Sequence, residues 1–248
     1  MNINLNEGDR PLPSVTLRPP RAPHVVNGQS PITTSGSYVP ALRFHGLTGL
    51  YDALLRFTLR EEGFKRRLIE QAALAPGMRV LDLGCGTATL SLLIKRIHPD
   101  VEVTGLDADA RALDIARRKG ASAGLDLRFQ QGFLQDPPLE PGSFDRILSS
   151  LVFHHLGRAD KLRAFEKARQ LLKPGGTLQV ADWGRPQNLL MRAAFLSVQC
   201  LDGFGPTSDN VRGLLPELMA EAGFKGVSQT HAEGTVYGTL AFYRAVRD

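Results

Sequence analysis

The sequence predicts an α/β protein built on a doubly wound, mostly parallel sheet, and three observations predict it. Val80, Leu81 and Leu83 form the short apolar run of a strand covered on both faces, and further strands are expected near 101–106, 126–131 and 143–149 as well as over 78–83. Between and after them, helical patterns near 88–97, 109–123 and 158–172 give a βαβ rhythm, which calls for right-handed crossovers and a parallel sheet. Gly84-Cys85-Gly86 then marks a tight turn between the first strand and its helix, where glycine lets the backbone bend and a ligand approach.

Taken in order, residues 1–40 hold seven of the sixteen prolines and few large apolar side chains, so a mobile, dispensable arm is expected there. Residues 41–75 read as a helical N-terminal cap, with Leu47, Leu50, Tyr51, Leu54, Leu55, Phe64, Leu68 and Ile69 at helical spacing. Pro76-Gly77 ends it, and the main domain is expected over 76–248. A fifth strand follows Gly176 and closes at Ala181-Asp182. An apolar insertion over 186–205 comes next, lid-like in position, then a helix over 208–222 stopped by Gly223. Two last strands, 225–231 and 235–245, pair across Ala232-Glu233-Gly234.

The chemistry gathers at the strand ends. Val80-Leu81-Asp82-Leu83 feeds the glycine turn, and a helix starting near Thr87 offers unpaired N–H groups and a positive dipole end. The next strand closes on Asp107, whose carboxylate can accept both hydroxyls of a ribose. A dinucleotide fingerprint needs a third glycine where Thr89 stands, and no second nucleotide-binding half follows, so hydride transfer is disfavoured.

The stretch from Val80 to Leu90 resembles motif I of the class I S-adenosylmethionine (SAM) methyltransferases. Phe144-Asp145-Arg146-Ile147-Leu148-Ser149-Ser150 is similar to that family's fourth strand, and Leu171-Leu172-Lys173-Pro174-Gly175-Gly176 to its turn into the fifth. Ala88 stands where the family often has glycine, a departure that alanine's size makes minor. The resemblance implies a seven-stranded Rossmann-like sheet with an antiparallel last strand. It also implies SAM as cofactor and S-adenosylhomocysteine as product. Asp82 would lie near the methionine ammonium, with a helix-capping role as the alternative. Gly84, Cys85 and Gly86 would pass beneath the cofactor, Cys85 as a small filler. Asp107 would hold the ribose, and Ala108, Gly132 and Phe133 would flank adenine. Phe133 replaces an acid common at that place, so it can pack on the ring but cannot accept from the amine; Asp136 is a remote substitute. Ser150 lies at the cofactor edge of the fourth strand, and Tyr51, in Leu50-Tyr51-Asp52, resembles a tyrosine that closes over the cofactor in related enzymes, with a helix-face aromatic packed in the core as the alternative.

On the acceptor side, His154 and His155 follow the fourth strand, where an open sheet places its crevice. Either imidazole can serve as general base toward a hydroxyl or acid carbon, with a structural role as the alternative. No metal-ligating set is expected, because these two are adjacent and His24, His45, His98 and His231 are scattered. Leu190, Met191, Ala194, Phe195, Val198 and Leu201 form an apolar face that suits a hydrophobic acceptor, a contact in a homodimer, or core packing.

Composition narrows the class. The chain has 248 residues, 42% hydrophobic and 22% charged, and no run of eighteen apolar residues, so no transmembrane segment is expected. Two cysteines without CxxC spacing and no signal-like start imply a cytoplasmic protein. The net charge of +5 permits an anionic partner, but the basic residues are scattered and no nucleic-acid domain is apparent. The expected activity is methyl transfer from SAM to a small, fairly apolar acceptor of quinone or natural-product type. The rivals are an RNA or protein methyltransferase and a catalytically silent SAM-binding partner module.

Overall fold

The structure, a computed structural model, describes residues 61–248. The 1–40 arm, Tyr51 and most of the 41–75 cap lie outside the described residues. Helix α1 spans Glu61–Ala72, followed by β1 Arg79–Leu83, α2 Thr89–Ile97, β2 Glu102–Asp107, α3 Ala110–Ser122, β3 Arg128–Gln131 and β4 Phe144–Ser150. A 3-10 turn, Phe153–His155, leads to α4 Arg158–Leu171 and β5 Leu172–Trp183. The chain closes with α5 Leu189–Asp202, α6 Phe204–Arg212, α7 Leu215–Glu221, β6 Lys225–Thr235 and β7 Gly238–Val246.

The seven strands form one sheet in the order β3-β2-β1-β4-β5-β7-β6. β1 is parallel to β2 and β4, β4 to β5, and β2 to β3, whereas β7 is antiparallel to both β5 and β6. The order reverses at β1, so β2 and β4 flank it and their C-terminal ends open one crevice, the usual ligand position in such sheets.

Alternation along the strands divides the core into two layers. Leu81, Ile147, Leu178 and Val180 face Phe165, Leu218 and Met219 on one side. Val80, Val103, Leu148 and Phe242 face Phe64, Leu68, Leu90 and Ile94 on the other. Burial on both faces is why these strands read as near-continuous apolar runs. At the opposite edge from the crevice, Asp145 accepts the Arg79 N–H at 2.8 Å and the Lys173 ammonium at 2.8 Å, joining β1, β4 and β5.

Three boundaries differ from expectation. The helix expected over 208–222 is two helices, broken where Gly213 adopts φ 73° and caps α6. Pro216 then stands in the first turn of α7, where its missing N–H costs nothing. The last hairpin turns at Val236-Tyr237, between the paired residues Thr235 and Gly238, not at 232–234, and Gly238 takes up the strain at φ 140°. β5 begins at Leu172, with its register shifted between Phe144 and Arg146 of β4, so Lys173-Pro174-Gly175-Gly176 lies inside the strand's irregular start.

Candidate active site

The glycine turn is bonded to the end of β2. Gly84 and Cys85 donate their N–H groups to the Leu106 carbonyl at 2.8 and 2.9 Å, and Gly86 donates to Asp107 Oδ2 at 2.8 Å. The other Asp107 oxygen accepts the Asp109 N–H at 2.9 Å. Burial raises the Asp107 pKa, against the pull of these N–H groups. Each oxygen therefore has one lone pair anchored to the backbone and keeps another for a ligand hydroxyl. Asp109 in turn caps α3 by accepting from the Arg111 N–H at 2.8 Å.

Within the turn, each small residue has its own reason. A Cβ on Gly84 would stand 2.5 Å from Val152 Cγ2, whereas one on Gly86, at φ 51°, would meet nothing within 4 Å. Gly84 is thus filled by the loop after β4, and Gly86 borders open space. Cys85 is buried, its Sγ would lie 2.8 Å from a Cβ on Gly105, and burial pushes its thiol pKa up. These surroundings fit a packing role and keep the thiol protonated. Ala88 is less neutral than its size implies: it caps α2 in the left-handed region at φ 64°, a conformation that is costly for any residue with a Cβ.

Asp82 lies fully buried beneath this turn. Its Oδ2 accepts the Ser91 hydroxyl at 2.6 Å from the first turns of α2, while Oδ1 has no hydrogen-bond partner. Burial pushes its pKa up to about 6, only partly opposed by Ser91 and by the charge of Lys65. Lys65 of α1 is itself bound to Thr89 Oγ1 and Glu61. Asp82 is a buried acceptor with one oxygen unused, not the cap of α2, a position held by Ala88.

Beyond Asp107, Ala108 accepts from the Gln131 amide at 3.2 Å, and the Gly132 N–H donates to the Asp107 carbonyl at 3.0 Å. A Cβ on Gly132 would stand 2.4 Å from Pro138 Cδ, so the loop stiffened by Pro137-Pro138 is what requires this glycine. Phe133 is 47% exposed at the same rim. At the end of β4, Ser149 donates to the Leu83 carbonyl at 2.7 Å, fastening β4 to β1, and Ser150 is half-buried beside it.

The acceptor side is organised by a residue that the sequence reading passed over as a mere strand end. Asp182, fully buried at the end of β5, accepts the N–H groups of Val152, Phe153 and Trp183 at 3.1, 2.7 and 2.7 Å. It also accepts from His154 Nδ1 at 2.7 Å and from the Asn210 amide at 3.2 Å. Burial alone would raise its pKa, but the charge of His154 and these donors hold it low. Conversely, His154 would be lowered by burial, yet the carboxylates of Asp182 and Asp202 raise it. His155 is held below the usual imidazole range, by enclosure first and by the charge of His154 second.

Asp202, the last residue of α5, stands opposite both imidazoles: 3.6 Å from His154 Nε2 and 3.8 Å from His155 Nδ1. No pattern in the chain announces this, since Asp202 is brought back by the fold from beyond β5. The three side chains form a group whose ligand atoms lie within 4.8 Å of one another. The 186–205 insertion therefore lies at the C-terminal ends of β4 and β5.

Its apolar face is split, however. Phe195 and Val198 are buried against Trp183, with the Phe195 and Trp183 rings 5.5 Å apart and near-perpendicular, while Leu190 and Leu201 are exposed. Phe195 also fills the space beside Gly238. It is a packing residue of the insertion and does not offer a free wall to an acceptor.

Comparison with known proteins agrees with this architecture. A family model described as a methyltransferase domain matches residues 80–176. The chain is 34% identical over 123 residues to a demethylmenaquinone methyltransferase of Thermus thermophilus, covering 50% of this chain and 55% of that protein. It is 28% identical over 212 residues to the ubiquinone/menaquinone biosynthesis C-methyltransferase UbiE of Shewanella halifaxensis, covering 76% and 83%. Among solved structures, a SAM-dependent methyltransferase from Aquifex aeolicus aligns with TM-score 0.56 at 19% identity over 74% of this chain and 89% of its own. A phosphoethanolamine N-methyltransferase of Haemonchus contortus aligns with TM-score 0.62 at 15% identity over 75% of this chain and 52% of its own. The order of the motifs, the strand order with its single reversed strand, and these matches converge: residues 80–176 match a methyltransferase domain, and the chain is similar over that region and its sheet to the class I SAM-dependent methyltransferases.

Proposed function

We propose that this protein transfers the methyl group of SAM to a small, fairly apolar acceptor of quinol or natural-product type. The observation that carries the reading is Asp107: a carboxylate at the sheet's reversal point, anchored to Gly86 and Asp109, with lone pairs left for two ribose hydroxyls. Two further features fit the cofactor: the open space beside Gly86 and the orphaned Asp82 Oδ1, a partner for an ammonium group. Ala108, Gly132 and Phe133 would flank adenine, and Ser150 would close the β4 side; Tyr51 is carried forward from the sequence alone.

When bound, SAM supplies a methyl group activated by its sulfonium charge. The chain's own task is to hold the acceptor in line and keep water away. Asp182 fixes the Val152–His154 segment by three separate bonds, so the acceptor-side loop is rigid. Both nitrogens of His154 face carboxylates, whereas His155 has only Nδ1 near one, Asp202. Burial and the charge of His154 make His155 a weak base, so it would take a proton from a hydroxyl or an acid carbon only with Asp202 stabilising the imidazolium. The likeness to quinone C-methyltransferases favours an aromatic or quinol acceptor for a partner of this site.

The test is turnover of SAM to S-adenosylhomocysteine with phenols, quinols and amines, beside calorimetry with both cofactor forms. Turnover with a quinol or phenol supports the reading; binding of NAD without SAM would end it. Tight SAM binding with no turnover on any acceptor would instead favour the silent partner module.

A further inference from the structure

We propose that His154, His155 and Asp202 bind one divalent transition-metal ion of the zinc class. The distances carry the argument. Where this site makes a hydrogen bond to an imidazole, it makes a short one: Asp182 lies 2.7 Å from His154 Nδ1. Asp202 stands 3.6 Å from His154 Nε2 and 3.8 Å from His155 Nδ1, too far for either hydrogen bond and equally placed for both rings. Around a tetrahedral ion with bonds of ~2.1 Å, neighbouring ligand atoms sit about 3.4 Å apart. The two contacts, made by different oxygens of Asp202, are slightly wider than this, and one ligand atom from each of the three residues can be taken with all within 4.8 Å, a span that a small side-chain movement closes onto one ion.

The surroundings match as well. A ligating histidine normally gives its other N–H to a carboxylate, which fixes the tautomer and aims the free nitrogen. Asp182 does this to His154, leaving Nε2 directed at Asp202. Two imidazoles and one carboxylate, with no thiolate among them, suit zinc or ferrous iron and leave at least one coordination position for another ligand. The ring centroids lie 4.0 Å apart with their planes tilted by 42°, so the adjacent residues present their nitrogens in different directions.

The site lies where β4 and β5 end. The remaining position suits an acceptor carrying a hydroxyl or enolic oxygen; this part rests on the methyltransferase reading, whereas ion binding does not. In the ion-loaded protein His155 is a ligand, and the ion faces the acceptor in its place.

The experiment uses the full chain, stripped with a chelator and titrated with cobalt(II) as a spectroscopic probe, then with zinc in competition. The expected result is one equivalent of cobalt with the strong visible absorption of a four- or five-coordinate site, displaced by zinc. Asp202→Ala and His155→Ala should each weaken zinc binding by about 100-fold or more, and Asp182→Asn by about 10–100-fold, with SAM affinity little changed in Asp202→Ala. Absence of the cobalt spectrum in the unaltered chain overturns the proposal, as does zinc binding as tight in Asp202→Ala as in the parent. SAM binding without an ion site would remove this inference alone. An ion site in a chain that binds no SAM would leave it standing and remove the methyltransferase reading.

Discussion

Gly84 and Val152 touch so closely that the two halves of the crevice share one contact: a Cβ on the glycine would stand 2.5 Å from the valine Cγ2. Gly84 belongs to the turn under the cofactor position, and Val152 to the loop that carries the histidines. Gly84 also adopts φ 77°, so substitution there is penalised by conformation as well as by overlap. Gly84→Ala should lose about 2–4 kcal/mol, the sum of left-handed strain and overpacking. Thermal melts should show a midpoint lower by roughly 5–15 °C. Val152→Ala in the same chain should restore part of the loss, a coupling that a double-mutant cycle reads directly.

Asp107 should control cofactor affinity. Hydrogen bonds to a charged group are worth roughly 1.5–3 kcal/mol, so Asp107→Ala should weaken SAM binding about ten-fold or more by calorimetry. Unchanged affinity would remove the ribose assignment.

Asp82 gives a stability term with a defined sign. Its folded pKa of about 6 lies above the ordinary 3.8, so the native state favours the neutral acid. The associated stability is full below pH 3.8 and is lost as pH rises through about 6. Two pKa units correspond to about 3 kcal/mol. Asp82→Asn should therefore raise the denaturation midpoint of the cofactor-free protein at pH 8, and the gap to the parent should shrink toward pH 4. If the ammonium of SAM meets Oδ1, saturating SAM should narrow the gap at pH 8.

Phe195 separates packing from acceptor binding. It is 1% exposed against Trp183, and Phe195→Ala should cost about 3–5 kcal/mol through the cavity it leaves. Chemical denaturation measures this. A variant with normal stability and impaired acceptor use would show that the ring lines the acceptor pocket after all.

Most of the parallel sheet and the cofactor side were legible because their signals are local. Apolar runs, the Gly84-Cys85-Gly86 turn and the acids closing β1 and β2 each lie within a few residues. The break at Gly213 was hidden inside a helical pattern, although Pro216 is a usable sign of a fresh start. The last turn was misplaced because Ala232-Glu233-Gly234 has turn composition while Val236-Tyr237 does not. Asp202 and Asn210 could not be seen: nothing near them in the chain refers to His154 or Asp182, and only the return of α5 and α6 over the strand ends makes them neighbours. Ala88 looked harmless by volume, and its constraint is a dihedral angle, which composition does not display.

The reversal of strand order at β1 also divides the molecule by chain position. Most of what would grip the cofactor, from Asp82 to Phe133, precedes β4, with Ser150 at the end of β4 as the exception, and the described residues that would face the acceptor follow it. The polypeptide passes between these regions once, through the loop ahead of Phe144. The seam carries specific matches on both sides of the sheet, among them Gly84 with Val152, Ser149 with Leu83, Asp145 with Arg79 and Gln179 with Gln71. A chimera joined in that loop inherits its cofactor from one parent and its acceptor from the other, provided a small residue meets a branched one at the first match and a hydroxyl is kept at the second.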